Sequence, residues 1–424
     1  MTLKNRLAHS SPFYFATYAV LMAFCTYVCL FAFRKAFNVA TFQGQSFAGV
    51  DYKIWLISAQ VIGYTVSKFI GIKVVSEMYG RNRLQGILTL ALLACTAWLG
   101  FGLVSAPYNI IFLFLNGLPL GMGWGLVFSY LEGRRTTEVL GAGLSISFIF
   151  SAGFVKTVGS WVMLHWGLSE FWMPLIVSLL FFFPFLIFLY FLDQLPPPSQ
   201  LDEAQRTKRQ AMNGRERIAF FGQYALGLIL LIFTYLLLTV FRDFRDNFSA
   251  EIWQALGVQN ASSLFTLTEV PIALIVMLVI SALMFISDNA LAFQIIHWIV
   301  LVGLALVGLS NWAFQMHWIS PPVWMTLVGL GLYLGYVAFN TIFFDRMIAT
   351  FKQAANVGFL IYLADSIGYV GSISVLFYKN FGQPKLSWLS FFITTGYWVS
   401  GLGCILILAS WFYFRRKAPR GIEG

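Results

Sequence analysis

Twelve apolar runs account for most of the chain, at 13–38, 53–77, 84–105, 108–131, 139–165, 171–193, 218–243, 264–287, 291–315, 321–344, 353–378 and 387–414. Each is close to the roughly 20 residues that a helix needs to cross the hydrocarbon core of a bilayer. In that core every backbone N–H and C=O must be satisfied within the protein, so runs of this length predict helices. Composition agrees: 59% of residues are hydrophobic, only 10% are charged, and the mean hydropathy is +0.77. A soluble domain does not expose so little charge while hiding so much apolar surface. The expected fold is an all-α polytopic membrane protein with twelve transmembrane helices in two pseudo-symmetric six-helix bundles.

The longest polar interruption is 194–217, with three consecutive prolines at 196–198 and then a dense charge run. It reads as a linker and divides the spans six and six. The expected organisation is an N-terminal bundle at 1–193, a cytoplasmic linker at 194–217 and a C-terminal bundle at 218–424. Assigning loops alternately puts 18 of the 27 Lys and Arg residues on the side of the N-terminus and three (Lys53, Lys379, Lys385) on the other. By the positive-inside rule the first side, with both termini, is cytoplasmic, and the location is the cell membrane. The net charge of +10 is then a topology signal, and a nucleic-acid partner loses its motivation. The opening "MTLKNRLAHSSPFYF" does not read as a cleaved signal.

The remaining six basic residues, Arg34, Lys35, Lys68, Lys156, Arg242 and Arg245, fall within or at the ends of spans. Four acids accompany them: Asp243, Asp246, Glu269 and Asp365. A central Arg or Lys costs about 2.5–3.5 kcal/mol on insertion scales, so such groups face a bundle interior or a wet cavity and partly neutralise one another. Two positive charges remain over. A cavity with spare guanidinium forks suits a carboxylate or a phosphate.

A repeated phrase sharpens this reading. "FRKAFN" (33–38) closes the first span and "FRDFRDNF" (241–248) closes the seventh, so corresponding helices carry Arg34 and Arg242 at similar depth. Lys35 lies about 100° round the helix from Arg34, and the two cannot point the same way. Arg242 and Arg245 have acids beside them and admit a purely structural pairing. Lys68 and Lys156 either reach the cavity or pair with Asp365 or Glu269. Glu269, Asp365 and Asp243 are the candidates for a coupling group or a cavity ion pair.

At these residues the chain resembles the major facilitator superfamily, most closely its organophosphate:phosphate antiporter branch. "FRKAFN" (33–38), "YTVSKFI" (64–70), the glycine-rich "LNGLPLGMGWG" (115–125) and "QAANVGFLIYLADSIGYVGS" (353–372) carry the resemblance, in the expected order. The loop "KVVSEMYGRNR" (73–83) is similar to the superfamily's motif between spans 2 and 3, with Glu77, Gly80, Arg81 and Arg83 matching and Lys73 in place of its leading glycine. The resemblance implies a secondary transporter that moves a small polar anion by alternating access. In it Arg34 and Arg242 bind the anion from opposite halves, Lys68 assists, and the matched loop residues gate the cytoplasmic face. A coupling proton or counter-anion, a lipid bilayer and a monomeric state complete the implied partners. There are departures. Lys156 lies at depth in span 5 where the branch has a histidine, His165 comes only near that span's end, and Leu120 replaces a polar residue. They leave an organophosphate, phosphate or a carboxylate open as substrate.

No enzymatic constellation, metal-ligand spacing or cofactor motif emerges, so neither an enzyme nor a cofactor is expected. Cys25, Cys29, Cys95 and Cys404 all fall in apolar runs and read as small core residues. Gly117, Gly121, Gly123 and Gly125 read as close-packing positions, and His297 as a packed histidine. Tyr64, Tyr336, Asn340, Tyr362 and Tyr369 are candidates to line a cavity. The competing class is a non-transporting membrane receptor or sensor that keeps a transporter fold. Such a protein has no need of arginines at matching positions in the two halves.

Overall fold

A computed structural model of the chain describes residues 3–77, 81–131, 134, 137–197, 221–258, 262–351, 357–382 and 386–417. The helices, numbered here in chain order, are α1 (Leu3–Ala8), α2 (Pro12–Lys35), α3 (Tyr52–Glu77), α4 (Arg81–Leu103), α5 (Ile110–Leu120), α6 (Gly123–Phe128), α7 (Thr137–Trp166) and α8 (Met173–Asp193). They continue with α9 (Ala225–Asn247), α10 (Ser249–Ala255), α11 (Ser262–Met284), α12 (Asn289–Gln315), α13 (Pro321–Ala338), α14 (Phe344–Thr350), α15 (Val357–Gly382) and α16 (Trp388–Lys417). Among the described residues ten segments are long and apolar enough to cross a membrane. The two remaining predicted spans, 53–77 and 353–378, fall on α3 and α15, helices of 26 residues each. The protein is an all-α polytopic membrane protein. Most of the predicted linker, 198–217, lies outside the described residues.

Helix ends follow local chemistry. Ser11 caps α2, accepting from the Tyr14 amide, with Pro12 in the first turn. Asp288 caps α12 through the amides of Ala290 and Leu291. Within the spans, hydroxyls bond back to the preceding turn, as Thr26 does to the Met22 carbonyl and Ser178 to Pro174, which satisfies them without water. The seventh span differs from its predicted bounds: it starts at Ala225 and runs through "RDFRDN" to Asn247, because those charged side chains find partners. In the first span α2 is extended by a 3-10 turn to Val39. Arg34 then precedes Val39 by five positions, and Arg242 precedes Asn247 by five, so the two arginines keep corresponding places.

The chain divides into two compact units. Unit 1 comprises Met1–Arg206, Asp246–Val270 and Leu376–Lys385. Its densest seam is backbone on backbone between α3 and α5. A Cβ at Gly117 would stand 2.2 Å from the Gln60 carbonyl oxygen, which explains why that position lacks one. Gly121 is equally confined against Ser67, whereas Gly123 has ordinary room. The aromatic run of α8 divides by face: Phe183, Leu186, Ile187 and Tyr190 are exposed, while Phe185, Leu189 and Leu192 are buried in the core. An unpredicted hairpin, Ser46–Phe47 with Val50–Asp51, leads into α3. Ala48 and Gly49, both at positive φ, make its two-residue turn. Glu170 holds the preceding chain by accepting from the amides of Thr41 (2.6 Å) and Phe42.

Unit 2 comprises Thr207–Arg245, Pro271–Val375 and Leu386–Gly424. Here α12 and α13 touch at Gly303 and Gly331, each of which would drive a Cβ to 2.4 Å from the other's carbonyl oxygen. α13 passes through a π-helical turn at Phe339–Phe343 into α14. His297 is a packed histidine as expected, with Nδ1 on the Phe293 carbonyl, Nε2 on the Ser410 hydroxyl, and its ring against Phe293 and Phe343. The four cysteines are free thiols.

Candidate functional site

In unit 1 the last turn of α2 is held by neighbours. An α-helix leaves its final four carbonyls without intrahelical partners, which in lipid must be met otherwise. The Phe33 carbonyl accepts from Trp98 Nε1 (2.6 Å) and Asn116 Nδ2 (3.0 Å), and the Arg34 carbonyl accepts from Gln60 Nε2 (2.8 Å). Gln60 also donates to Asn116 Oδ1 at 2.9 Å, which closes the network. These three side chains fix the backbone from which Arg34 projects. The Arg34 guanidinium lies over the Tyr64 ring, 3.6 Å from its centroid. The Lys68 ammonium stands 5.3 Å from the same ring. Arg34 makes no ion pair with any described residue, and its Nε is buried without a hydrogen-bond partner.

Lys35 leaves the helix in another direction, as the 100° step requires. Its Nζ donates to Asn247 Oδ1 at 2.7 Å and lies 3.8 Å from Asp246 Oδ2. Lys156 pairs with Asp246 Oδ1 at 2.6 Å, rather than with Asp365 or Glu269 as the sequence had offered. Asn38 donates to Asn247 Oδ1 (3.0 Å) and Asp246 Oδ2 (3.4 Å). The closing residues of the repeated phrase thus meet one another within unit 1. Lys53, on the predicted external side, is buried; its Nζ donates to the Asn38 carbonyl (3.0 Å) and to Glu251. Burial raises the Glu251 carboxyl above its usual range and the Lys53 ammonium pulls it back. Glu269 is buried against Gly153.

In unit 2 the Arg242 guanidinium lies over Tyr336, 4.0 Å from the ring centroid, and donates through Nη2 and Nε to Asp243 Oδ1 at 2.6 and 3.2 Å. Ser372 donates to the other oxygen of Asp243 at 2.8 Å. Tyr336 stacks on Tyr235, whose hydroxyl donates to Asp365 Oδ1. Asn340, in the π-helical turn, donates to the Tyr235 hydroxyl and to the Tyr336 carbonyl, both at 3.0 Å. Such turns rotate one side chain out of helical register and recur at functional positions. Arg245 points elsewhere: it donates to the Met325 carbonyl and packs on Gly329. Tyr369 is buried, and the side chain of Tyr362 lies outside what is described.

Of the expected gate residues, Gly80 and the side chains of Glu77 and Arg81 lie outside the described residues. Arg83 donates to the Ser129 carbonyl at 3.1 Å and approaches the Tyr130 ring. Among the described residues no group of three or more His, Cys, Asp or Glu is placed to hold a metal ion. Sequence reasoning missed Gln60, Trp98, Asn116 and Tyr235. An Asn, Gln or Tyr inside an apolar run looks the same whether it packs or positions a charge. The signal available was polarity at depth, all four side chains falling in runs that also carry glycines.

The chain shares its fold with solved membrane transporters. Over 94% of this chain and 99% of that one, it is similar to the nucleoside transporter NupG, solved in a mutant form, with a TM-score of 0.60 and 13% identity. It resembles a bacterial homologue of the human lysosomal transporter Spinster, solved inward-facing and unoccupied, with a TM-score of 0.63 and 11% identity over 97% of this chain and 100% of that one. It also resembles the xylose transporter XylE from E. coli, in a partially occluded inward-open conformation, with a TM-score of 0.60 and 15% identity over 94% and 97% of the two chains. By sequence the chain belongs to DUF5690, described as a family of unknown function, whose pattern matches residues 36–417. No curated protein matches it.

Proposed function

We propose that the protein is a secondary transporter that moves a small polar anion, an organophosphate, phosphate or a carboxylate, by alternating access. Its twelve spans form two six-helix bundles, 1–193 and 218–424, joined by a cytoplasmic linker at 194–217, with both termini cytoplasmic and the chain a monomer. The solved structures it resembles are transporters, and the motifs of its first, second, fourth and eleventh spans favour the organophosphate:phosphate antiporter branch within that fold. The observation that carries the reading is Arg34: a guanidinium within a membrane span, on a tyrosine face, with a buried Nε and no carboxylate among the described residues. An unpaired charge at that depth is costly, and a bound anion relieves the cost. Arg242 supplies the second fork, with Lys68 and Lys156 assisting; Asp243, Asp365 and Glu269 are the groups that pair with cations or take a proton as the cavity empties. Glu77, Gly80, Arg81 and Arg83 gate the cytoplasmic face.

A thermal-shift screen of anions on the detergent-purified protein, followed by uptake or exchange of the best stabiliser in proteoliposomes, tests the proposal. Stabilisation by phosphate esters or dicarboxylates, lost in Arg34→Lys, is the expected result. Binding without transport in either direction leaves the receptor reading instead. External labelling of a cysteine placed at Ser199 in intact cells would overturn the orientation. Unchanged pH dependence in both Asp365→Asn and Glu269→Gln removes the coupling role.

A further inference from the structure

The proposed function leaves Lys35 unused and assigns Lys156 no geometry of its own. Both are buried in unit 1, and both converge on one carboxylate. Asp246 takes Lys156 Nζ on one oxygen at 2.6 Å; its other oxygen lies 3.8 Å from Lys35 Nζ and 3.4 Å from Asn38 Nδ2. Two ammonium groups and an amide around a carboxylate are the set of donors that a free carboxylate or phosphate group would meet there. The donors and the acceptor come from different helices. Lys35 and Asn38 end the first span and Lys156 projects from α7, while Asp246 arrives on the last turn of α9.

We infer that Lys35, Lys156 and Asn38 form a second anion site, for a carboxylate or phosphate group, whose built-in occupant is Asp246. The inference rests on the anion reading above for the class of ligand, but not on Arg34 or Arg242. The local charge supports it. Lys35 and Lys156 share the one carboxylate of Asp246, whereas Lys53 is engaged by Glu251 with Asp51 beside them. If the end of α9 withdraws, two buried ammonium groups lose their carboxylate. A buried cation without its partner is strongly unfavourable, so the withdrawal needs a substitute anion. An incoming anion that takes the place of Asp246 supplies one. The site thereby ties the release of α9 to the arrival of substrate, since a ligand shifts a conformational equilibrium only by its preference for one state.

Thermal unfolding of the full-length protein in detergent tests this, with inorganic phosphate or succinate compared with sodium chloride at matched ionic strength. Asp246→Asn empties the site. It is expected to melt below the wild type in chloride and to gain more from phosphate or succinate than the wild type does. Adding Lys156→Gln to Asp246→Asn is expected to abolish that extra gain. Asn247→Asp works in the opposite direction: Asn247 Oδ1 already accepts from Lys35 and Asn38, so a carboxylate there fills the site further and lowers the response below that of the wild type. Equal responses in Asp246→Asn and wild type, or an extra gain that survives Lys156→Gln, overturn the site. If Asp246→Asn cannot be purified, Asn247→Asp decides alone, and a response equal to that of the wild type, including none in either, overturns it. Arg34→Lys separates the two proposals. A response smaller than the wild type's in Arg34→Lys, with the extra gain of Asp246→Asn intact, supports both, whereas an extra gain beside an unaffected Arg34→Lys response removes the role of Arg34 and leaves this site standing.

Discussion

Arg34 and Arg242 each lie over a tyrosine ring, at 3.6 and 4.0 Å, but their remaining contacts differ. Arg242 is bound to Asp243, which Ser372 holds in turn. Arg34 has no carboxylate among the described residues; what is held is its backbone, through Gln60, Trp98 and Asn116. The tyrosines also come from non-equivalent places: Tyr64 from the second span, Tyr336 from the tenth. The two halves thus keep the guanidinium and the aromatic face and differ in the counter-charge. In unit 1 the guanidinium meets no carboxylate among the described residues, and in unit 2 it is paired with Asp243.

That comparison breaks most sharply on stability. Arg242→Ala leaves the part-buried Asp243 without its cationic partner and is expected to destabilise by up to about 3–5 kcal/mol. Arg34→Ala strands no carboxylate and should melt close to the wild type. Thermal scans of both variants in one detergent check this, and equal losses would show that Arg34 has a structural counter-ion after all.

Anion binding gives the next largest effect. Arg34→Lys removes the planar fork and should weaken the best anion of the screen by about 1.5–3 kcal/mol, about tenfold or more in Kd. Lys35→Ala, measured by the same titration, should weaken it less than Arg34→Ala does, because Lys35 turns toward Asn247 and Asp246.

The backbone clamp comes next. Gln60→Leu leaves the Arg34 carbonyl unmet in a buried place, an expected loss of about 1–3 kcal/mol in stability. It should also reduce the anion response, which distinguishes positioning of Arg34 from mere packing. The smallest effect belongs to the aromatic face: Tyr64→Leu should cost about 1 kcal/mol of binding, and Tyr64→Phe almost nothing, since both rings present the same negative face. A large loss in Tyr64→Phe would instead give the hydroxyl a direct role.

The loops lined up with the motif between spans 2 and 3 illustrate how much was legible and how much was not. That α3 ends at Glu77 and α4 begins at Arg81 follows from the apolar runs and the polar residues between them. The partner of Arg83, a carbonyl at Ser129, does not follow, because any carbonyl at a helix end looks alike in sequence.

By itself the sequence determined the helical spans, since a bilayer admits few other ways to satisfy a backbone, and it determined which few charges would be forced into the interior. It also marked Arg34 and Arg242, through a phrase written twice. Tertiary structure decided what each charge meets. Lys156 pairs with Asp246, 90 positions away, and Lys35 bonds Asn247, 212 positions away, while Arg34 is left to a tyrosine. The physical reason is range. Insertion into lipid depends on the local run of side chains, and a local run can be read off the chain. Ion pairing depends on distances of a few ångströms between helices far apart in sequence, and only their packing sets those distances.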